Sequence, residues 1–243
     1  MKVYVTGAAV VKRDMYATLR SGIVKMNAEE LFQIAHLNAI LAKKSSRFGR
    51  FDQYTRIGLA AVGLALHDAR LDTTDRVRNI GFILAGQYGS FVTDLTFYET
   101  TVDGGQFASP NLFSYTLPNI VIGECAHQFG LIGPTFCLDS DGERAHGALC
   151  EAALYLEENS VEAMLVGWLE VLPKQAPKGD EGAIVLVFEK KKNKDAFQLE
   201  LETDCRNGMK FLTGEVVNSI DKLLQALKMV DISIQKQKNM SLK

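Results

Sequence analysis

Helices are predicted where apolar residues recur every three or four positions along the chain. Two such stretches, 28–44 and 53–69, place their apolar side chains along one face of a helix. Asp52 directly precedes the second stretch and is predicted to cap its first turn. The same spacing predicts further helices over 87–102, 117–129, 143–158 and 214–229. The polar and basic residues after them, 233–243, are expected to fray.

Strands are predicted where short apolar runs end at a glycine or a polar turn. Residues 3–5 form such a run, which Gly7 is expected to end. Residues 79–86 are continuously apolar and close on a glycine, which is typical of a buried strand. The pattern predicts further strands over 135–138, 161–171, 181–190 and 198–202. Because strands and helices alternate, we predict an α/β fold, a layered mixed β-sheet with helices on its faces.

Composition narrows the classes of function. The chain has 243 residues, 47% of them hydrophobic, and a formal net charge of −2. That charge gives no reason to expect a nucleic-acid partner or an anionic membrane surface. No stretch reaches the roughly 20 apolar residues that a membrane span needs. The four cysteines show no CxxC spacing, so we expect neither a zinc site nor disulfides, and we expect a cytoplasmic protein.

No cofactor or metal is expected. The turn at 86–89 contains two glycines but lacks the Lys-Ser/Thr of a P-loop and the spacing of a dinucleotide fingerprint. Glu143 and His146 share the i, i+3 spacing of helical di-iron sites. Such sites need a second copy of the motif and further carboxylates, so this single pair is interpreted as coincidence.

Several motifs follow one another in the order known from a family of condensing enzymes. They are RFGRFDQYTRIGLAAVGLALHDARLD (47–72), IGFILAGQYGS (80–90), SPNLFSYTLPNIVIGECAHQFGLIGP (109–134), AMLVGWLEV (163–171) and DEGAIVLVFE (180–189). On these motifs, residues 47–189 resemble the N-terminal half of the β-ketoacyl-acyl-carrier-protein synthases, members of the thiolase-like superfamily. The resemblance implies a thiolase-like half, with a β-ketoacyl synthase N-terminal-like domain over 1–189.

The resemblance also implies that the nucleophile is missing. In the active family a cysteine stands eight residues after the proline of the Gly-Pro pair. Counting from Pro134 gives Gly142, which has no side chain to attack a thioester. The non-catalytic chain-length factors of this family carry Ser-Asp-Gln at this point. This chain has Ser140 and Asp141 but departs at the third residue, so catalytic residues are expected to be absent.

The residues around Gly142 support this interpretation independently of the family. Asp139, Asp141 and Glu143 crowd negative charge into one turn, which disfavours both a thiolate and an oxyanion. Ser140 and Glu143 also form the S-x-x-E pattern of a capping box, whose cap stabilises a helix by about 0.5–2 kcal/mol. The polar side chains at 140–143 are therefore interpreted mainly as a helix start.

The usual C-terminal half of the family is expected to be lacking. The family's His-Gly-Thr and Asn-x-x-x-x-His motifs do not occur, and residues 190–243 are interpreted as an extension holding a strand, a helix and the frayed tail. In the family, the helix after the nucleophile packs against the other half. Here the helix over 143–158 is rich in alanine and leucine, so its apolar face needs a cover. The extension, a second copy or a different subunit could supply it, and the amphipathic stretch 214–229 could do so within the chain.

The resemblance places candidate acyl-pocket residues at a dimer contact. Leu117 falls where the family directs a side chain toward the acyl pocket, and Phe113 and Ile120 join it as candidates, with plain core packing as the alternative. The expected partner is a ketosynthase subunit, or a second copy, paired through the strand at 135–139. An acyl carrier protein is a further partner that the resemblance allows.

The function predicted from the sequence is a non-catalytic ketosynthase-like or chain-length-factor-like subunit of fatty-acid or polyketide-type biosynthesis. One alternative is an acyl-thioester hydrolase with altered chemistry, in which Asp139, Asp141 or His146 serves as a general base on water. Another is a module that binds an acyl carrier protein or CoA without chemistry. Cys137 lies five residues before Gly142 and is interpreted as an inert, buried thiol.

Overall fold

The computed structural model describes most of the chain, in ranges separated by gaps. These ranges are residues 1–25, 45–71, 77–140, 144–174, 176, 179–191, 199–204 and 208–229. The helix predicted over 28–44 and the tail after residue 229 lie outside the described residues. So do Asp141, Gly142 and Glu143.

Ten strands of the described residues form one mixed sheet. In chain order they are β1 (Lys2–Lys12), β2 (Met15–Thr18), β3 (Gly22–Lys25), β4 (Ile80–Gly86), β5 (Thr135–Asp139), β6 (Ala163–Glu170), β7 (Gly182–Glu189), β8 (Leu199–Asp204), β9 (Gly208–Phe211) and β10 (Val216–Val217). Their spatial order is β10-β9-β8-β1-β7-β6-β4-β5, and β2 and β3 form a hairpin that pairs with the end of β1. Strand β4 runs parallel to β5 and β6, whereas the other pairs are antiparallel.

The helices lie on both faces of the sheet, as predicted. They are α1 (Gln53–Asp68), α2 (Phe91–Glu99), α3 (Pro110–Phe113), α4 (Ile120–Phe129), α5 (His146–Glu157) and α6 (Ile220–Ala226). One core packs α1 and α4 against the sheet, and the other packs α5 and α6 against its opposite face. Helix α1 starts as expected, because the Asp52 carboxylate accepts a hydrogen bond from the Thr55 N–H at 2.9 Å.

Strand β1 is longer than predicted, because it does not end at Gly7 as the sequence suggested. A bulge between Val5 and Gly7 shifts the register with β7, and the strand continues to Lys12. The glycine is needed for packing, since a Cβ atom there would lie 2.5 Å from the carbonyl oxygen of Ala65 in α1. The buried Asp68 carboxylate lies at the end of α1. It accepts hydrogen bonds from the backbone N–H groups of Ala8, Leu19 and Arg20.

Two helix predictions need correction. The capping box at Ser140 does not start α5, which begins at His146 after Ala145 adopts a left-handed conformation. The Ser140 hydroxyl instead accepts a 3.4 Å hydrogen bond from the Ala145 N–H. The helix predicted over 214–229 is shorter, because its first residues form β10 and Ser219 caps α6 only from Ile220 onward.

The apolar face of α5 is covered within the chain. Strand β8 pairs with β1, β9 with β8 and β10 with β9, so these three strands continue the sheet around this helix. The α5 residues beneath them and beneath α6 are fully buried, namely Ala148, Leu149, Ala152, Ala153 and Leu156. A domain boundary at residue 189 stays a prediction. Within the described ranges, no helix is both long and apolar enough to cross a membrane.

Candidate functional site

A cavity of about 280 Å³ opens at the carboxyl ends of β4 and β5. Parallel strands commonly present ligands at this edge, because the loops that leave them diverge there. The cavity is lined by Tyr54, Leu84, Gly86, Gln87, Tyr88, Gly89, Pro118, Cys137, Leu138 and Asp139. Tyr54 comes from the first turn of α1 and Pro118 from the segment before α4, so several elements of the predicted frame converge on it.

The turn that forms one wall of the cavity is held by a buried carboxylate. Glu170, at the end of β6, accepts hydrogen bonds from the backbone N–H groups of Gln87 and of Tyr88, the latter at 3.1 Å. Burial raises the pKa of Glu170, and these two N–H groups oppose the rise. Gly86 is required in this turn, because a Cβ atom there would lie 2.8 Å from the carbonyl oxygen of Leu169. The sequence pattern did not identify this role of Glu170.

The thiol in the cavity is not activated. Cys137 Sγ donates to the carbonyl oxygen of Pro118 at 3.4 Å, and burial raises the pKa of Cys137 to about 11. Burial also raises the pKa of Cys125 in α4 and of the Tyr54 hydroxyl well above their usual values. Nucleophilic cysteines need a positive environment that lowers the thiol pKa, so Cys137 has the electrostatics of an inert core thiol.

The structure describes Asp139 and Ser140, which precede the position predicted to lack a nucleophile. Asp139 ends β5 and lines the cavity, and the Ser140 N–H donates to the carbonyl oxygen of Gly86 at 3.1 Å. The vacancy at Gly142 itself stays a prediction, since it lies outside the described residues. His146 contacts Cys150 on α5, with 3.7 Å between Nε2 and Sγ, and it is not among the residues that line the cavity.

The predicted acyl-pocket residues do not line the cavity in the isolated chain, although Leu117 directly precedes Pro118, which does. Phe113 and Leu117 are 63% and 62% exposed, and Ile120 packs against the core around α1 and α4. Pro118, Tyr54 and Tyr88 are the cavity residues that sequence reasoning missed. The glycines of the turn at 86–89 were the available signal, because tight turns at strand ends bring backbone close to a site.

A cluster of charged side chains lies on the other face of the sheet. Arg144 forms ion pairs with Asp180 at 2.9 Å and with Asp221 at 3.2 Å. Its guanidinium carbon lies 4.2 Å from the ring centre of Trp168, and Lys12 pairs with Asp180 at 2.6 Å. Among the described residues, no group of three or more His, Cys, Asp and Glu side chains is arranged to hold a metal ion.

Solved structures resemble this fold at low sequence identity. The chain aligns with the ishigamide ketosynthase/chain length factor at a TM-score of 0.59 and 17% identity, covering 82% of this chain and 65% of that one. It aligns with the AntDE:AntF structure, a type II PKS acyl-carrier protein in complex with its ketosynthase, at 0.62 and 19%, covering 84% and 71%. A β-ketoacyl synthase from Burkholderia phymatum STM815 aligns at 0.52 and 15%, covering 82% and 62%.

The chain therefore spans about two thirds of the length of these solved proteins. At such identities the likeness establishes the fold, and the thiolase-like half predicted from the motifs is confirmed. A search of curated proteins finds no match. The sequence model for the β-ketoacyl synthase N-terminal domain matches residues 12–197, which is most of the chain. The protein thus belongs to the β-ketoacyl synthase N-terminal domain family.

Proposed function

We propose that this protein is a non-catalytic, ketosynthase-like subunit that supports an active condensing enzyme in fatty-acid or polyketide-type biosynthesis. The observation that carries the proposal is a family frame over residues 12–197 in which the nucleophile position falls on Gly142. A glycine offers no atom for thioester attack. The neighbouring thiol of Cys137 does not replace it, because burial keeps its pKa at about 11.

The proposed partner surface joins the outer edge of β5 to an exposed apolar patch. Among the described strands, β5 pairs only with β4, so its other edge is open for pairing with another chain. The patch comprises large hydrophobic side chains between α2 and α4 that are exposed to solvent: Phe91, Tyr98, Val102, Phe107, Phe113 and Leu117. We propose that these side chains adjoin one another in one patch, as exposed apolar side chains do at protein interfaces.

The partner is proposed to be a ketosynthase subunit. Two of the solved proteins that share this fold are described as a ketosynthase/chain length factor and as a ketosynthase with its acyl-carrier protein. A second copy of this chain could use the same strand edge, and it is the competing outcome. Leu117 is exposed and directly precedes Pro118, which lines the cavity, so a partner seated on Leu117 would complete the wall of an acyl pocket and influence chain length.

Co-expression with a ketosynthase encoded beside this protein, followed by size-exclusion chromatography, tests the proposal. We expect co-elution for the wild type and for Leu212→Asp, and loss of co-elution for Leu117→Asp. The two leucines are a matched pair, because their exposed fractions are 62% and 56% and Leu212 lies beyond β9, away from the patch. A wild-type protein that stays a monomer with every neighbouring ketosynthase would refute the heteromer. Elution as a dimer that contains only this chain would favour the homodimer.

Catalytic inactivity is tested separately. Incubation with malonyl- and acyl-thioesters, followed by intact-mass spectrometry, should show neither a covalent adduct nor hydrolysis. An acyl adduct on Cys137 would overturn the non-catalytic assignment.

A thioester hydrolase is the second candidate, and the position of Asp139 in the cavity is the observation that favours it. A carboxylate beside a cavity of this size can act as a general base on water. The hydrolase predicts turnover that is lost in Asp139→Asn and retained in Asp103→Asn, a change of an exposed carboxylate outside the cavity. Binding of acyl-carrier protein or CoA without turnover would identify a binding module instead.

A further inference from the structure

The C-terminal segment, residues 208–229, lies over α5 and is joined to the rest of the protein by few main-chain bonds. Strand β9 pairs with β8 over four positions, β10 contributes only two residues, and α6 is one short helix. A segment attached in this way can open locally at a lower free energy than global unfolding requires. The side-chain contacts that hold it therefore decide how often it opens.

Arg144 provides such contacts at the end of the segment where α6 starts. Its carbonyl oxygen accepts a hydrogen bond from the Ile220 N–H at 3.0 Å, and its guanidinium pairs with Asp221 in the first turn of α6. The same guanidinium stacks on Trp168 of β6 and pairs with Asp180 before β7. Arg144 thus connects the segment, the start of α5 and the sheet through one side chain.

The cluster is balanced in charge and partly shielded from solvent. Lys12 pairs with the other oxygen of Asp180, and its ammonium lies 5.5 Å from the centre of the Trp168 ring. The two cations over this aromatic ring are therefore paired with two carboxylates, Asp180 and Asp221, which argues against a site for an anionic ligand. Removing one partner of an ion pair that is partly buried in this manner costs more stability than removing one partner of an exposed pair.

We propose that the Arg144 cluster is an ionic latch that holds residues 208–229 closed over α5, and that releasing it opens this segment while the rest of the fold stays intact. Opening would expose the apolar α5 face, which would then be available for association. The latch keeps that face out of intermolecular contacts. This proposal does not depend on the proposed function.

Cys150 is partly buried while the segment is closed, so opening of the segment should raise its reactivity above a basal rate. It lies on α5 beneath β9, where a Cβ atom on Gly208 would come within 2.9 Å of its Sγ atom. Cys125 is buried in the core on the opposite face of the sheet, so it becomes reactive only when the fold as a whole opens. Alkylation of the full-length protein, followed site by site by peptide mass spectrometry, therefore separates local opening from global unfolding.

Arg144→Gln should raise the rate of Cys150 alkylation roughly tenfold, a factor equivalent to about 1.4 kcal/mol, while Cys125 stays protected. Asp221→Asn removes only the ion pair to α6 and should give a smaller increase in the Cys150 alkylation rate. This milder variant keeps the test informative if Arg144→Gln misfolds. The matched control is Arg78→Gln, because the Arg78 and Arg144 side chains are 25% and 22% exposed and Arg78 pairs with Glu162 far from the segment. The control should leave Cys150 unchanged.

Salt supplies a second test on the wild type. Raising the salt concentration from about 0.05 M to about 1 M should accelerate Cys150 alkylation in the wild type and have little effect in Arg144→Gln, because the latch is ionic. Unchanged Cys150 reactivity in both latch variants would overturn the proposal. A parallel rise at Cys125 would also overturn it, since that result would identify Arg144 as a global stabiliser.

Discussion

The protonation state of Cys137 decides whether the cavity can support covalent catalysis. Burial raises the pKa of this thiol from 9.0 to about 11, because the thiolate loses its hydration. This increase lowers the thiolate fraction at neutral pH about a hundredfold, leaving roughly one molecule in 4,000 reactive at pH 7.4. Alkylation with iodoacetamide should therefore be slow at neutral pH and should rise with pH without levelling off below about pH 10.

The assay measures the rate of Cys137 alkylation by peptide mass spectrometry across a pH series, with a cysteine-containing peptide of the same local sequence as the control. The peptide should reach half of its plateau rate near pH 9, the ordinary pKa of the thiol. A Cys137 rate that levels off near neutral pH would refute the reasoning. It would reveal an activated thiolate, and the chemistry of the cavity would then resemble that of a catalytic cysteine.

Further predictions concern stability, measured as the free energy of unfolding in urea. Asp68→Asn should cost about 3 kcal/mol, because the buried carboxylate accepts three backbone N–H groups that the amide cannot all satisfy; a loss below 1 kcal/mol would contradict this. Gly7→Ala should cost about 1–3 kcal/mol by overpacking against α1, whereas Gly49→Ala, which has open space, should be nearly neutral. Asp180→Asn should destabilise the protein at pH 7. Burial by itself would raise the pKa of Asp180. The positive charges of Lys12 and Arg144 outweigh this effect and hold the pKa below its usual value. The stabilisation is therefore present above the unfolded-state pKa and is lost as pH falls through the folded-state pKa, so the curves of variant and wild type should converge in acid.

The cover over α5 has a consequence for how the protein can associate. The alanine-rich helix α5, for which the sequence named no certain cover, is buried by residues 199–204 and 208–229. An interface through this helix would first require that segment to move away. The apolar patch around Leu117 and the open edge of β5 need no such rearrangement. Association through the β5 side is therefore the arrangement that the folded chain supports directly.

Local pattern was sufficient for the main elements of the frame. The apolar spacing and the Asp52 cap placed α1 within a residue of its observed ends, and the apolar run ending at Gly86 identified β4. These features depend on neighbours in sequence, which is why they can be read without coordinates. The family was recognisable for the same reason, since its motifs are short segments in a set order.

The pattern of apolar and polar residues could not predict contacts between residues that are far apart in the sequence. Strand β1 continues past Gly7 only because β7 and β2 pair with its later residues, and α6 is short because Val216 and Val217 pair with β9. The role of Glu170 depends on a turn more than 80 residues away. A sequence determines which segments are apolar and where chains can turn. Which carboxylate meets which N–H group, and which segment covers α5, depends on the packing of the whole sheet.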